Sequence, residues 1–474
     1  MRVLAVDLGA TSGKICIIEK KGQRLNYYEI SRFATRGLTL LTKLRPILFW
    51  NLPRFFEQML AVISSEKILA VGIDSWGVDF GLFDAWGRLI GLPVHYRDPR
   101  TINIMDKLPI STENLFYKTG VSPMPINSLF QLYAMVLQND PVLNIARVFL
   151  MIPDIFNFWL TGECFCEYTI ATTSQCSSLQ GYSWAYDILE VFNIPREIFP
   201  PIIKPGVIIG QNKYPGLGKF KVIATASHDT AAAIASIPVE KNTLYISLGT
   251  WALIGAEVCE PILTLEAMEA GFTNEGGVEK INFHANRTGL WLIEECNYEW
   301  GLSYEEIVKL AEKATPFQVF FNPNEPKLLI PGQVTNAIKE YFRKQLGRAP
   351  KNIGEISRTI FENLVLSYKH TILKLEQITK KQYNLIYIVG GGIKNRLITQ
   401  MIADATGKVV LLGPSDAASI GNGIIQFIAL GELSDLCEGR QLVNKSFPWQ
   451  SLSPKSTDVW EKAYKKWLEI VKMK

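Results

Sequence analysis

His228 and Asp229 stand side by side in ATASHDTAAA, residues 224–233, among side chains no larger than threonine. Small neighbours let other groups approach a polar pair closely. Four chemistries use such a pair: a hydrolytic triad, a metal site, a general base for a hydroxyl, and a satisfied structural pair. A Ser227-His228-Asp229 triad is disfavoured, because adjacent residues seldom aim at one another in triad geometry and no G-x-S-x-G elbow occurs. A metal hydrolase would want more histidines than the four present, or clustered carboxylates. The base and the structural pair remain open. An aspartate with a pKa of about 4 is ionised at neutral pH and can accept the proton of an attacking hydroxyl.

Phosphoryl transfer needs such a base, together with phosphate cradles and a magnesium carboxylate. Three glycine turns offer cradles, since only residues without bulky side chains let backbone N–H groups reach phosphate oxygens. They are GATSG at 9–13, the LGT turn at Gly249 and Thr250, and the run Gly390, Gly391 and Gly392. Asp7 precedes the first, where a magnesium-water ligand or a turn-capping aspartate would sit. Asp74 and Asp79 in GIDSWGVDF could supply carboxylates to a metal hydrolase, yet they read equally well as hydrogen-bond acceptors at strand ends.

The elements that must position these residues alternate between strands and helices, which argues for an α/β fold. RVLAVDLG, KICIIE and LNYYEISRF read as strands, WNLPRFFEQMLAVIS as a helix, and ILAVGIDSWGVDFGLFD as strand, turn and strand. LAVDLGATSGKICII and TLYISLGTWALIGAEV share one pattern of apolar run, Leu-Gly, hydroxyl and apolar run. Ser247 takes the place of Asp7 in the second copy. Two such units predict two similar domains, 1–238 and 239–474, joined near Ser236–Asn242. In LIYIVGGGIKNRLITQMIADATG a strand runs through the glycines into a helix that Asn395 can cap. Ile356, Ile360, Leu364 and Ile372, and Trp460, Tyr464, Trp467 and Val471, form apolar stripes of core-facing helices.

Bulk properties narrow the classes further. The 474 residues fit two to three domains, and 48% hydrophobic content fits a packed globular chain. The 49 basic against 45 acidic residues are too balanced to argue for nucleic-acid or membrane binding. Seven sparse cysteines fit a reducing cytoplasm, and Cys164 and Cys166 read as a strand pair rather than a metal site. The start lacks the apolar core of a signal peptide.

Ten motifs in order carry a resemblance. They are VDLGATSGK, GIDSWGVDF, YRD, IPDIFNFWLTG, EYTIATTSQ, ASHDTAAA, SLGTW, TNEGG, GLWL and IVGGGIKN. Between about residues 3 and 430 the chain resembles the FGGY carbohydrate kinases. The resemblance implies two actin/hexokinase/Hsp70-like (ribonuclease H-like) domains with a cleft between them. Sugar would bind mainly to the first domain and nucleotide mainly to the second. It implies ATP and Mg2+ as cofactors, and a ketose as substrate. L-rhamnulose, phosphorylated at its 1-hydroxyl, is expected first, and L-fuculose or another ketose or polyol second. It also implies a cytoplasmic monomer or homodimer.

Residue by residue, the resemblance makes Asp229 the base and places Gly77, His228, Thr230 and Asn286 against the sugar. It places Ala10, Thr11, Ser12, Gly13 and Lys14, then Gly249 and Thr250, then Glu294, and Gly390, Gly391 and Gly392 against the nucleotide. Asp7 becomes the metal partner. Two departures bear on the nucleotide: Lys14 stands where the resembling kinases carry arginine, and Glu294 where they carry glutamine. Lysine cannot grip phosphate bidentately as arginine does, and a carboxylate near ATP adds repulsion. PMPINSLFQL departs in a loop expected to border the sugar. A non-catalytic, nucleotide-dependent sugar sensor on the same fold is the alternative.

Overall fold

The computed structural model describes residues 1–179, 181–238 and 243–471. The chain forms two compact units. The first comprises Met1–Pro238, Glu257–Phe283 and Ala417–Ser446, and the second Val239–Ala256, His284–Asp416 and Phe447–Lys474. Of the expected junction, residues 239–242 lie outside the described residues.

The first unit is built on six strands: β1 (Arg2–Leu8), β2 (Ser12–Lys21), β3 (Arg24–Ala34), β4 (Ala70–Ser75), β5 (Val207–Gln211) and β6 (Lys221–Ala224). Their order is β5-β6-β4-β1-β2-β3. β1 lies antiparallel to β2 and parallel to β4, and β4 is parallel to β6. The apolar run VLAVDL is buried throughout, as a strand covered on both faces requires, whereas the edge strand β3 is largely exposed.

In the second unit β7 (Thr243–Leu248) and β8 (Trp251–Val258) form the second antiparallel hairpin. β9 (Leu385–Val389) runs parallel to β7, β10 (Val409–Leu412) parallel to β9, and β11 (Gln450–Leu452) antiparallel to β10. Both hairpins therefore gain parallel strands on the side of their first strand, so the repeat read in the sequence is a repeat of topology. The stripe on Ile353–Thr379 is buried at Ile356, Ile360, Leu364 and Ile372, and that on Thr457–Val471 at Trp460, Tyr464 and Trp467. Among the described residues no helix is long and apolar enough to cross a membrane.

The alanines after Asp229 have a packing reason. The helix Asp229–Ala235 lies against the helix Ala417–Ala429, and a Cβ on Gly421 would stand 1.8 Å from the Ala232 carbonyl oxygen. Bulkier side chains at either surface would force the helices apart.

Candidate functional site

In open α/β sheets the carboxyl ends of parallel strands face the crevice where ligands bind. In the first unit these ends carry the acidic residues. Asp7 on β1 and Asp74 on β4 are register partners, and Ser75 bridges to His228 just beyond β6. Across the hairpin Asp7 pairs with Lys14, whose Nζ lies 3.0 Å from Oδ2. Ser419 donates its hydroxyl to the same oxygen at 3.2 Å. Asp74 is fully buried and accepts a bond from Asn422 Nδ2 at 2.6 Å. Burial, and then the charge of Asp7, push the Asp74 carboxyl well above the usual range.

Glu167 holds the HDT segment in place. Its buried carboxylate accepts the backbone N–H of Ser227 at 3.0 Å, of Thr169 at 2.9 Å and of Ile170 at 3.2 Å, and the Thr169 hydroxyl at 2.6 Å. The Thr169 oxygen in turn accepts the N–H of His228 at 3.1 Å. Burial raises Glu167 to about 7 against these donors. The His228 ring then lies between two carboxylates, with Nδ1 3.2 Å from Glu275 Oε2 and Nε2 3.5 Å from Asp229 Oδ1. Thr230 donates its hydroxyl to that Asp229 oxygen at 3.1 Å. The Asp229 side chain keeps 32% of its surface exposed, while those of His228 and Glu275 keep 9% and 5%. Burial raises Asp229, His228 pulls it down, and Asp7 raises it further, leaving it above the usual carboxylate value. Burial opposes charge on His228, but the close approach of Glu275, with the charges of Asp229 and Glu167, outweighs it and raises its pKa.

Gly77 opens the turn after β4. A Cβ there would meet the Thr173 side chain at 2.9 Å. Val78 follows with φ of +67°, a strained conformation for a β-branched residue. Its N–H donates to Thr173 Oγ1 at 3.0 Å, and its carbonyl accepts from Ser128 Oγ at 2.6 Å and Gln131 Nε2 at 3.2 Å. Asp79 turns inward as a hub, accepting Trp50 Nε1 at 2.6 Å, Trp76 Nε1 at 3.0 Å, Gln131 Nε2 at 3.1 Å and the Tyr96 N–H at 3.2 Å. That is a structural acceptor, one of the two readings open to it.

The second unit gathers the other glycine turns. The Gly249 carbonyl accepts the Leu290 N–H at 2.8 Å, and the Thr250 carbonyl those of Gly289 at 3.1 Å and Trp291 at 3.3 Å. The SLGTW turn thus seats on the start of the helix Trp291–Trp300. Only glycine fits at 289, because a Cβ would lie 2.4 Å from the Gly249 oxygen. Glu294, in the first turn of that helix, accepts the Thr250 hydroxyl at 3.3 Å. Gly390 ends β9 with φ of +89°, and a Cβ there would stand 2.8 Å from the Leu248 carbonyl. A short 3-10 turn, Gly391–Lys394, leads into the helix Arg396–Thr406, capped by Asn395 Oδ1 accepting the Ile398 N–H at 3.1 Å. Asn286, on the strand Ile281–Thr288, has a buried side-chain oxygen with no hydrogen-bond partner among the described residues.

Of the expected site residues, Asp7, Ala10 to Lys14, Gly77, His228, Asp229 and Thr230 lie in the first unit, and Gly249, Thr250, Asn286, Glu294 and Gly390 to Gly392 in the second. Glu167, Glu275, Ser419 and Asn422 were not singled out from sequence. Glu167 opens the EYTIATTSQ motif and Glu275 lies inside TNEGG, so both carried a positional signal. Ser419 and Asn422 carried none. Among the described residues no three His, Cys, Asp or Glu side chains form a ready-made metal cage. Magnesium does not need one, because it keeps waters and takes one or two carboxylates plus substrate phosphates. Asp7 stands at the end of β1 beside Asp74 of β4, and its charge raises both Asp74 and Asp229, as a strand end able to receive a cation would show.

Known proteins resemble the chain along nearly its whole length. The N-terminal domain of the FGGY family of carbohydrate kinases matches residues 2–235 and its C-terminal domain residues 244–430. A rhamnulokinase of Bacteroides thetaiotaomicron is 36% identical over 97% of this chain and 97% of its own. One from Bacillus subtilis is 34% identical over 96% of each. A ligand-bound xylulose kinase from Lactobacillus acidophilus superposes with a TM-score of 0.80 over 99% of this chain and 97% of its own, at 16% identity. A Plasmodium falciparum glycerol kinase with ADP gives 0.77 over 100% and 98%, at 14% identity. These structures share the two-domain actin/hexokinase-like fold. With both family domains matched along nearly its whole length, the chain belongs to the FGGY family of carbohydrate kinases.

Proposed function

We propose that this sugar kinase transfers the γ-phosphoryl group of ATP to the 1-hydroxyl of L-rhamnulose in the cytoplasm, with Asp229 as general base. The observation that carries the reading is Asp229 itself, a partly open carboxylate whose Oδ1 is held by Thr230 and faces His228. The near-full-length likeness to proteins named rhamnulokinase supports the sugar. All seven cysteines are free thiols, which supports a reducing compartment.

The sugar hydroxyl oxygen attacks the γ-phosphorus, the bond to the β-phosphate oxygen breaks, and the hydroxyl proton passes to Asp229. Gly77, through its backbone, together with His228, Thr230 and Asn286, orients the sugar. Gly249, Thr250, Glu294 and the Gly390–Gly392 turn receive the nucleotide, and the Ala10–Lys14 turn its phosphates. Lys14 is bound to Asp7 and must exchange that contact for a phosphate oxygen. Asp7 would hold Mg2+, which when bound supplies charge neutralisation to the phosphates.

A coupled ADP-release screen over L-rhamnulose, L-fuculose, L-ribulose, D-xylulose and glycerol tests the reading. The expected result is a kcat/KM for L-rhamnulose at least about tenfold above each of the others. A different preferred sugar would overturn the substrate, and sugar binding without ADP release from any of them would favour a sensor.

A further inference from the structure

The mechanism uses Asp229 and leaves Glu275 without a task, yet Glu275 is almost wholly buried beside the reacting group. It projects from the strand Phe272–Gly276, and its Oε2 lies 3.2 Å from His228 Nδ1. Burying a carboxylate is costly unless it is paired with a cation or well hydrogen-bonded. The group facing it is an imidazole whose other nitrogen faces Asp229 Oδ1 at 3.5 Å. Glu167 is the third carboxylate whose charge reaches the ring. A ring held between carboxylates is most stable as imidazolium, with its Nδ1 edge against Glu275 and its Nε2 edge towards Asp229.

We infer that Glu275 is a positioning residue that holds His228 as an imidazolium, and that this cation keeps Asp229 ionised and ready to accept the sugar proton. The inference rests on Asp229 being the base. Burial pushes Asp229 towards its neutral, inactive form, and the charge of His228, 3.5 Å away, opposes it. Removing the negative charge at Glu275 lets His228 lose its proton, which in turn raises the Asp229 pKa. Activity requires Asp229 ionised and His228 protonated, so both limbs of the pH profile should report the pair.

The test is the pH dependence of kcat/KM in Glu275→Gln, whose amide keeps the size and removes the charge. The acid limb should move up and the alkaline limb down, each by about one pH unit, equal to a tenfold change in proton concentration. In a His228→Gln background the same substitution should leave the acid limb where it was. A profile lowered equally at every pH, with its limbs fixed, would overturn the inference and leave Glu275 a packing residue. Should Glu275→Gln fail to fold, ring NMR of the four histidines in the unaltered chain decides, with His228 identified by the signal lost in His228→Gln. An imidazolium titrating above the ordinary value of about 6.5 is expected, and a neutral ring at pH 7 would overturn the inference. Failure of the base assignment is separable, because an active Asp229→Asn would sink that assignment whatever the Glu275 profile shows.

Discussion

The hairpins β1–β2 and β7–β8 share a backbone plan and differ in charge. In the first, Asp7 has Asp74 as its parallel neighbour and Lys14 across the antiparallel pair. In the second, Ser247 occupies the place of Asp7, with Val389 as its parallel neighbour and Leu253 across the pair. An ion pair and a second carboxylate in one copy are thus a hydroxyl and two apolar side chains in the other. The turns differ likewise. Gly9 closes on the Ser12 carbonyl at 3.1 Å, while Gly249 closes on that of Trp251 at 2.8 Å and seats on a helix. A repeated scaffold fixes where strand ends and turn amides stand, and single side chains then decide which copy ends its strand in a carboxylate and which in a hydroxyl.

Substitutions at matched places can break or sharpen this contrast. The largest effect is expected at Asp7. Asp7→Asn should lower kcat by about a hundredfold or more and weaken the dependence on magnesium, as removal of a metal partner would. Initial rates over a magnesium titration measure it, and a variant with unchanged magnesium dependence would make Asp7 only the partner of Lys14. A smaller effect is expected at Thr250 in the second turn. Thr250→Val should raise KM for ATP roughly two- to tenfold with kcat little changed, the scale of one neutral hydrogen bond. A fall in kcat with KM unchanged would place Thr250 at the transferring phosphoryl group instead.

Much of this arrangement was legible before the structure. The hairpins, the glycine turn after Val389 and its Asn395 cap rest on short-range rules of apolar runs, glycine and capping side chains. The pairing of His228 with Asp229 is local as well. What stayed hidden depends on long-range contact. AASIGNGIIQFIA reads as one more apolar helix, and nothing in it reveals that Asn422 reaches Asp74 and Ser419 reaches Asp7, 348 and 412 residues away. Glu275 is one polar residue in a short motif until a strand sets it against His228. The small residues around Asp229 let other groups come close, and what the alanines admit is the helix that carries Gly421.

The central claim is that Asp229 takes the proton of the sugar hydroxyl. Turnover and calorimetric sugar binding, measured together on Asp229→Asn, test it most directly. The account predicts sugar and nucleotide affinities within a few-fold of the unaltered enzyme and a kcat lower by about 10²–10⁴-fold. A kcat near that of the unaltered enzyme with the preferred sugar would contradict it.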